Sequence, residues 1–270
     1  MTLITKRPAA AHWTEPEGIA PRGTLVLIPG RGESPELYER FGRRISGDGY
    51  RVHAVADPVA DPALATSQVL AVPADVRPYL LVGSDTGALF AAGLVASGQV
   101  TAADALVLAG LPAPPESTAE PTAQGPTAEG PTGSGGQAAS DAPPPSDSWE
   151  AELAARTACP THRGRLAGQG LRRGALYEPV PIGWESLADL GRIEQPVLAL
   201  HGAADPVSAL TDARERYAQA PRAELTSIAG GLHDVLNDVT HRTVAATIVL
   251  FLERLRLGAD LAPIAISEKL

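Results

Sequence analysis

The stretch Tyr79-Leu-Leu-Val-Gly-Ser-Asp-Thr-Gly87 decides the fold. Tyr79 to Val82 read as a buried strand, Gly83 closes it, and a helical pattern opens at Thr86. Gly-x-nucleophile-x-Gly between a strand and a helix makes a sharp elbow. Gly83 and Gly87 stand where any side chain would collide with neighbouring backbone. The residue between them is strained and projects its side chain alone. Here it is Asp85, and aspartate tolerates the positive φ of such a bend better than most residues.

Working outward, short apolar runs closed by turn residues predict further strands at Gly23–Pro29, Tyr50–Val55, Asp104–Gly110, Pro196–Gly202 and Glu224–Gly230, beside Tyr79–Gly83. Their hydrophobicity is continuous rather than alternating, which suits strands covered on both faces of a parallel sheet. Helical patterns lie between them at Pro35–Asp48, Thr86–Ser97, Val207–Ala218 and Asp238–Leu255. Ile4 to Trp13 are candidates for antiparallel edge strands.

Residues 112–148 break this alternation. They are rich in Pro, Ala, Ser, Thr, Gly and Glu and carry an imperfect repeat, Pro121-Thr-Ala-Gln-Gly, Pro126-Thr-Ala-Glu-Gly, Pro131-Thr-Gly. No aliphatic residue larger than Ala follows Pro112, so the segment is expected to be a disordered insert. Helical character resumes near Trp149, and 149–193 form an Arg-rich subregion in the position of a small lid. Residues 1–111 and 194–270 are the expected core.

The 270 residues, 44% hydrophobic and 20% charged, suffice for one sizeable core. The net charge of -9 argues against nucleic acid and anionic membrane surfaces. Cys159 is the single cysteine, so no intrachain disulfide forms and a cytoplasmic setting is the expectation. Met1 to Trp13 lack an apolar run followed by a cleavage pattern, and no run is long enough to span a membrane. The sequence holds no Walker-type loop, dinucleotide fingerprint or metal-ligand cluster.

An elbow nucleophile needs two more groups, a carboxylate after a late strand and a histidine after the last one. Asp205, in His201-Gly-Ala-Ala-Asp-Pro-Val, supplies the first; a helix cap before Pro206 is the alternative reading of the same residue. His233, in Gly230-Gly-Leu-His-Asp-Val-Leu-Asn-Asp, supplies the second. His12 and His53 precede the elbow, His162 lies in the lid, His201 ends a strand and His241 sits in a helical pattern. Main-chain N–H groups of Arg31, in Pro29-Gly-Arg-Gly-Glu, and of Thr86 are candidate oxyanion donors. The Arg31 side chain has two readings, positive charge added near the site or, as for most such arginines, a solvated group. Arg163, Arg165, Arg172 and Arg173 make the lid basic, to attract an acidic substrate group or, by default, as a solvated face. Ser84 is expected to hydrogen-bond locally, and Cys159 to be buried and idle.

The run Gly30-Arg-Gly-Glu-Ser-Pro-Glu-Leu-Tyr-Glu-Arg-Phe-Gly-Arg-Arg-Ile-Ser-Gly-Asp-Gly-Tyr-Arg-Val resembles the oxyanion-loop segment of the monoacylglycerol lipase and lysophospholipase branch of the α/β-hydrolases. His201-Gly-Ala-Ala-Asp205 and Leu232-His233-Asp-Val-Leu-Asn237-Asp238 resemble that branch's acid and histidine segments. The resemblance implies an α/β-hydrolase fold, with a mostly parallel sheet, helices on both faces and a small lid. It also implies no cofactor and hydrolysis of a small or lipid-like ester. Two departures stand out: Pro29-Gly30 replaces the branch's His-Gly, and Asp85 replaces its elbow serine. An elbow aspartate resembles the nucleophile of epoxide hydrolases and haloalkane dehalogenases, which share the fold. Their helpers are absent: Thr86 stands where dehalogenases carry tryptophan, and the lid holds one tyrosine, Tyr177, besides the flanking Trp149 and Trp184. A hydrolase scaffold that binds without catalysing is the third alternative.

Overall fold

A computed structural model describes residues 10–113, 148–168, 171–258, 260–266 and 268. The chain builds a seven-stranded sheet: β1 (Ala11–Trp13), β2 (Gly23–Ile28), β3 (Tyr50–Ala54), β4 (Tyr79–Ser84), β5 (Ala105–Ala109), β6 (Val197–Gly202) and β7 (Ala223–Ile228). Their spatial order is β1-β3-β2-β4-β5-β6-β7. All neighbours pair in parallel except β1, which runs antiparallel to β3 at the edge. All six strands expected from the apolar runs are present. Of the Ile4–Trp13 edge candidate, Ala11–Trp13 is a strand and the residues before Ala10 lie outside the described ones, as does almost all of the 112–148 insert.

The helices are α1 (Glu39–Gly47), α2 (Pro62–Ala71), α3 (Thr86–Ala96), α4 (Trp149–Arg156), α5 (Pro160–Gly168), α6 (Trp184–Leu187), α7 (Leu210–Tyr217) and α8 (His241–Leu257). The expected Pro35–Asp48 helix divides into a 3₁₀ turn, Pro35–Tyr38, and α1. Helix α2 was not anticipated. Only Ala65 and Val69 of it are buried, too few for a clear apolar stripe, and its start is set locally by Asp61, which accepts from the Leu64 N–H at 2.8 Å, and by Pro62 at the first turn.

Central strands β2, β4, β5 and β6 are buried at every residue. Alternate side chains feed two cores. Leu25, Leu27, Leu80 and Val82 pack with Phe41 and Ile45 of α1 and Ile248 and Phe251 of α8. Val26, Ile28, Leu81 and Leu106 pack with Leu89 and Ala92 of α3 and Tyr217 of α7. Each buried Val, Leu, Ile or Phe among them contributes about 1.5–3 kcal/mol by leaving water. Helix α3 is buried nearly all round, which its small residues permit. Among the described residues no helix is long and apolar enough to cross a membrane.

The topology delivers four loops to the carboxyl edge of the sheet, where sites gather in this architecture. Arg31 follows β2, Asp85 follows β4, Asp205 follows β6 and His233 follows β7. The elbow is backbone-tight: a Cβ on Gly87 would lie 2.3 Å from the Ile28 and Pro29 carbonyl oxygens, and one on Gly83 2.4 Å from the Gly87 oxygen. Gly87→Ala and Gly83→Ala should each cost about 3 kcal/mol in urea unfolding, because the colliding atoms are backbone. Gly47→Ala meets nothing within 4 Å and should stabilise α1 by about 0.5 kcal/mol in the same assay.

Candidate active site

Asp85 bridges β4 and α3 with φ 50° and ψ -125°, the strained geometry expected of the elbow. Its N–H donates to the Ala109 carbonyl at 2.9 Å, so the bend is pinned to β5. The side chain does not stand alone. Arg31 Nε donates to Asp85 Oδ2 at 2.8 Å and Nη2 to Oδ1 at 2.7 Å, a two-pronged ion pair. The Arg31 main-chain N–H adds a third bond to Oδ2 at 3.0 Å. Of the two readings of Arg31 the solvated default fails and the other holds: its guanidinium is buried because Asp85 is the buried anion facing it. The third nitrogen, Nη1, donates to the Glu178 carbonyl at 2.5 Å, tying the pair to the 171–178 segment.

His233 links the two carboxylates. Its Nδ1 lies 2.7 Å from Asp205 Oδ2 and its Nε2 3.2 Å from Asp85 Oδ1. Asp205 is not a helix cap, because α7 starts only at Leu210; its Oδ1 instead accepts from the Val207 and Ser208 N–H groups of the intervening turn at 2.8 and 3.1 Å, while Oδ2 faces the histidine. Burial would push the Asp85 carboxyl up, but Arg31, and then His233, hold it well below the usual carboxylate range. Burial would lower His233, but Asp205 and Asp85 together lift it to about 10. Arg31, Asp85, His233 and Asp205 thus form one continuous line, with the histidine held between two carboxylates. Of the two expected oxyanion donors, the Arg31 N–H is engaged by Asp85 itself; at Thr86 it is the side-chain hydroxyl, not the main-chain N–H, that lies 3.5 Å from Oδ2.

A second buried network, missed in the sequence, supports the first. Arg156 of α4 is fully buried. It donates to the Arg31 carbonyl at 3.0 Å, to Glu33 Oε1 at 3.2 Å and to Glu152 Oε1 at 3.2 Å, and lies 3.5 Å from Asp234 Oδ1. It therefore clamps the loop carrying Arg31 to the loop carrying His233. Glu33 Oε2 accepts from the Gly30 N–H at 3.1 Å and from the Tyr38 hydroxyl. Burial and the Asp234 charge push Glu33 up to about 8. Asp57 Oδ2 accepts from the Gly32 N–H at 2.8 Å. Glu33 and Asp234 were visible as neighbours of Arg31 and His233, but nothing in the chain's spacing pointed to Arg156.

Among the described residues Glu33, His162 and Asp234 have ligand atoms within 4.8 Å of one another, as a metal would need, although no such cluster shows in sequence. Arg156 lies against both carboxylates and already supplies positive charge there. Ser84 is buried in β4. Trp149 stacks under Arg173 and Trp184 against Phe90. All four lid arginines have partners, Arg173 over Trp149 and the other three through hydrogen bonds or ion pairs. Arg165 pairs with Glu39 at 3.0 Å, Arg172 pairs with Glu178, and Arg163 donates to the Thr157 carbonyl at 2.7 Å.

Two outcomes follow from these charges. Removing Arg31 takes away the ion pair to both Asp85 oxygens and leaves the buried carboxylate with His233 alone, so Arg31→Met should cost about 3 kcal/mol in urea unfolding. The same change in an Asp85→Asn background should cost much less. For His233 the folded value lies above the unfolded one, so its stabilisation is complete below about pH 6.5 and is lost as pH rises through about 10. The melting midpoint of the wild type should therefore fall more steeply across that range than that of His233→Gln.

No family model matches the chain, and no curated protein sequence does. Solved structures do. A monoacylglycerol lipase from Paleococcus ferrophilus superposes with a TM-score of 0.61 at 17% identity, over 90% of this chain and 97% of that one. A soluble variant of monoglyceride lipase from Saccharomyces cerevisiae gives 0.62 at 16%, over 91% of each. An esterase from Rhodococcus sp. gives 0.62 at 21%, over 90% and 94%. With the strand order and the elbow, these likenesses establish that the chain has the α/β-hydrolase fold.

Proposed function

We propose that the chain is a hydrolase of small or lipid-like ester-type substrates, with Asp85 as nucleophile, His233 as proton carrier and Asp205 as its orienting partner. The observation that carries this reading is the continuous line from Asp205 Oδ2 to His233 Nδ1, 2.7 Å, and from His233 Nε2 to Asp85 Oδ1, 3.2 Å. The fold's likeness to lipases and esterases supports the ester class.

In this reading an Asp85 oxygen attacks the ester carbonyl carbon and the bond to the leaving alcohol breaks. The imidazolium of His233 gives its proton to the departing oxygen. Arg31 holds the carboxylate at rest, and its N–H and guanidinium then meet the negative charge once it has moved to the substrate oxygen. Acylated Asp85 is neutral, so His233 has lost one of the two anions that kept it protonated. It can now take a proton from water as hydroxide attacks the acylated Asp85. The acid product departs, Asp85 is again a carboxylate, and His233 is again an imidazolium. The 149–193 segment serves as the lid, with its Glu178 carbonyl on Arg31.

The aspartate itself favours a second substrate class. A carboxylate attacking the saturated carbon of an epoxide or alkyl halide forms an ordinary alkyl ester, whereas attack on an ester carbonyl forms an anhydride. The scaffold as a binding protein is the reading to which Arg31, holding both Asp85 oxygens, lends weight.

A panel of p-nitrophenyl esters, epoxides and haloalkanes, tested with wild type and Asp85→Ala, separates these readings. Ester turnover lost by about 10³-fold or more in Asp85→Ala is the expected result. Turnover of epoxides or halides alone moves the substrate class. Inactivity throughout overturns the hydrolase reading. A single turnover in ¹⁸O-water should leave label in the peptide carrying Asp85. Because His233 must start protonated, kcat should decline as pH approaches about 10.

A further inference from the structure

Away from the elbow, α1, α5 and the start of α8 enclose a groove of about 450 Å³. In a chain with a net charge of -9, five of its 22 basic residues line this one hollow: Arg40, Arg43, Arg44, Arg165 and Arg242. Glu39 is the single acidic residue in the lining, and it is already shared between Arg43 at 2.8 Å and Arg165 at 3.0 Å. Arg40 is turned inward, donating to the Asn237 carbonyl and, at 3.2 Å, to Cys159 Sγ.

Arg44 and Arg242 are exposed and have no anionic partner among the described residues. The base of the groove is apolar, made by the buried side chains of Phe41, Leu236 and Ala245. Helix α8 begins inside it at His241 and adds the positive end of its dipole. The concentration of charge is felt by His241 itself, which burial and the guanidinium groups of Arg40, Arg242 and Arg44 push down to about 4.

We propose that this groove binds a phosphate-bearing ligand, its phosphate held by Arg44 and Arg242 and its apolar portion lying on Phe41, Leu236 and Ala245. Guanidinium groups match phosphate oxygens in pairs, and an unmet pair of them over an apolar base fits an anion that carries a hydrocarbon part. The ligand is distinct from anything hydrolysed at Asp85, and the site stands whether or not the elbow is catalytic.

Three probes test the site and its source of phosphate. These are inorganic phosphate, dodecyl phosphate below its micelle concentration, and phosphatidylcholine vesicles containing phosphatidic acid. Calorimetry reads the soluble ligands and co-sedimentation the vesicles. Arg44→Gln/Arg242→Gln should weaken binding by about tenfold or more. Arg192→Gln/Arg214→Gln removes the same charge from exposed positions elsewhere and should change little. Dodecyl phosphate should also shift the His241 Cε1–H resonance. Binding of dodecyl phosphate more tightly than inorganic phosphate supports a free amphiphilic phosphate as ligand, and binding of vesicles alone supports a lipid headgroup. No binding of any probe, or an equal loss in both double variants, overturns the proposal.

Discussion

The buried pairing of Arg31 with Asp85 is the constraint on which the rest of the site depends. An elbow forces its central side chain into the protein at the sheet's edge, and here that side chain is charged. A carboxylate so placed must find a cation or give up its charge. The loop after β2 supplies the cation from the Arg31 side chain and a further hydrogen bond from its backbone N–H. That choice fixes the position of the loop, draws the Glu178 carbonyl over it, and leaves His233 between two anions rather than one.

The second network explains how so much charge is kept inside without the loops parting. Arg156 touches the Arg31 carbonyl, Glu33 and Asp234, groups from two loops that share no strand pairing. Asp238 performs a related task on the same side, accepting from Thr157 Oγ1 at 2.9 Å, the Ala158 N–H at 2.8 Å and the Leu232 N–H at 3.0 Å. Helix α4 and the histidine loop are thereby joined by hydrogen bonds that a purely apolar contact would not orient.

The sheet was legible because parallel strands buried on both faces leave continuous Val, Leu and Ile runs, as β4 and β6 do. The positions of Asp85, Asp205 and His233 were legible because each lies just past a strand end marked by glycine: Gly83, Gly202 and Gly230-Gly231. The placement of Arg31's side chain was not. An arginine beside glycines is ordinarily solvated, and only the unusual residue at the elbow draws this one in. Arg156 was less visible still, standing 123 residues from its partner Glu33 on a short helix whose sequence resembles any exposed one. Helix α2, set by its cap rather than by an apolar face, escaped for a different reason.

Gly202 shows what the close approach of two loops demands. A Cβ there would come within 2.4 Å of the Gly231 and Leu232 carbonyl oxygens, so the acid and histidine loops lie backbone against backbone. The spacing of Asp205 and His233 is consequently a property of the main chain. Lengthening either loop by one residue would put their side chains out of register, so the length of these two connections is as much a part of the site as the residues they carry.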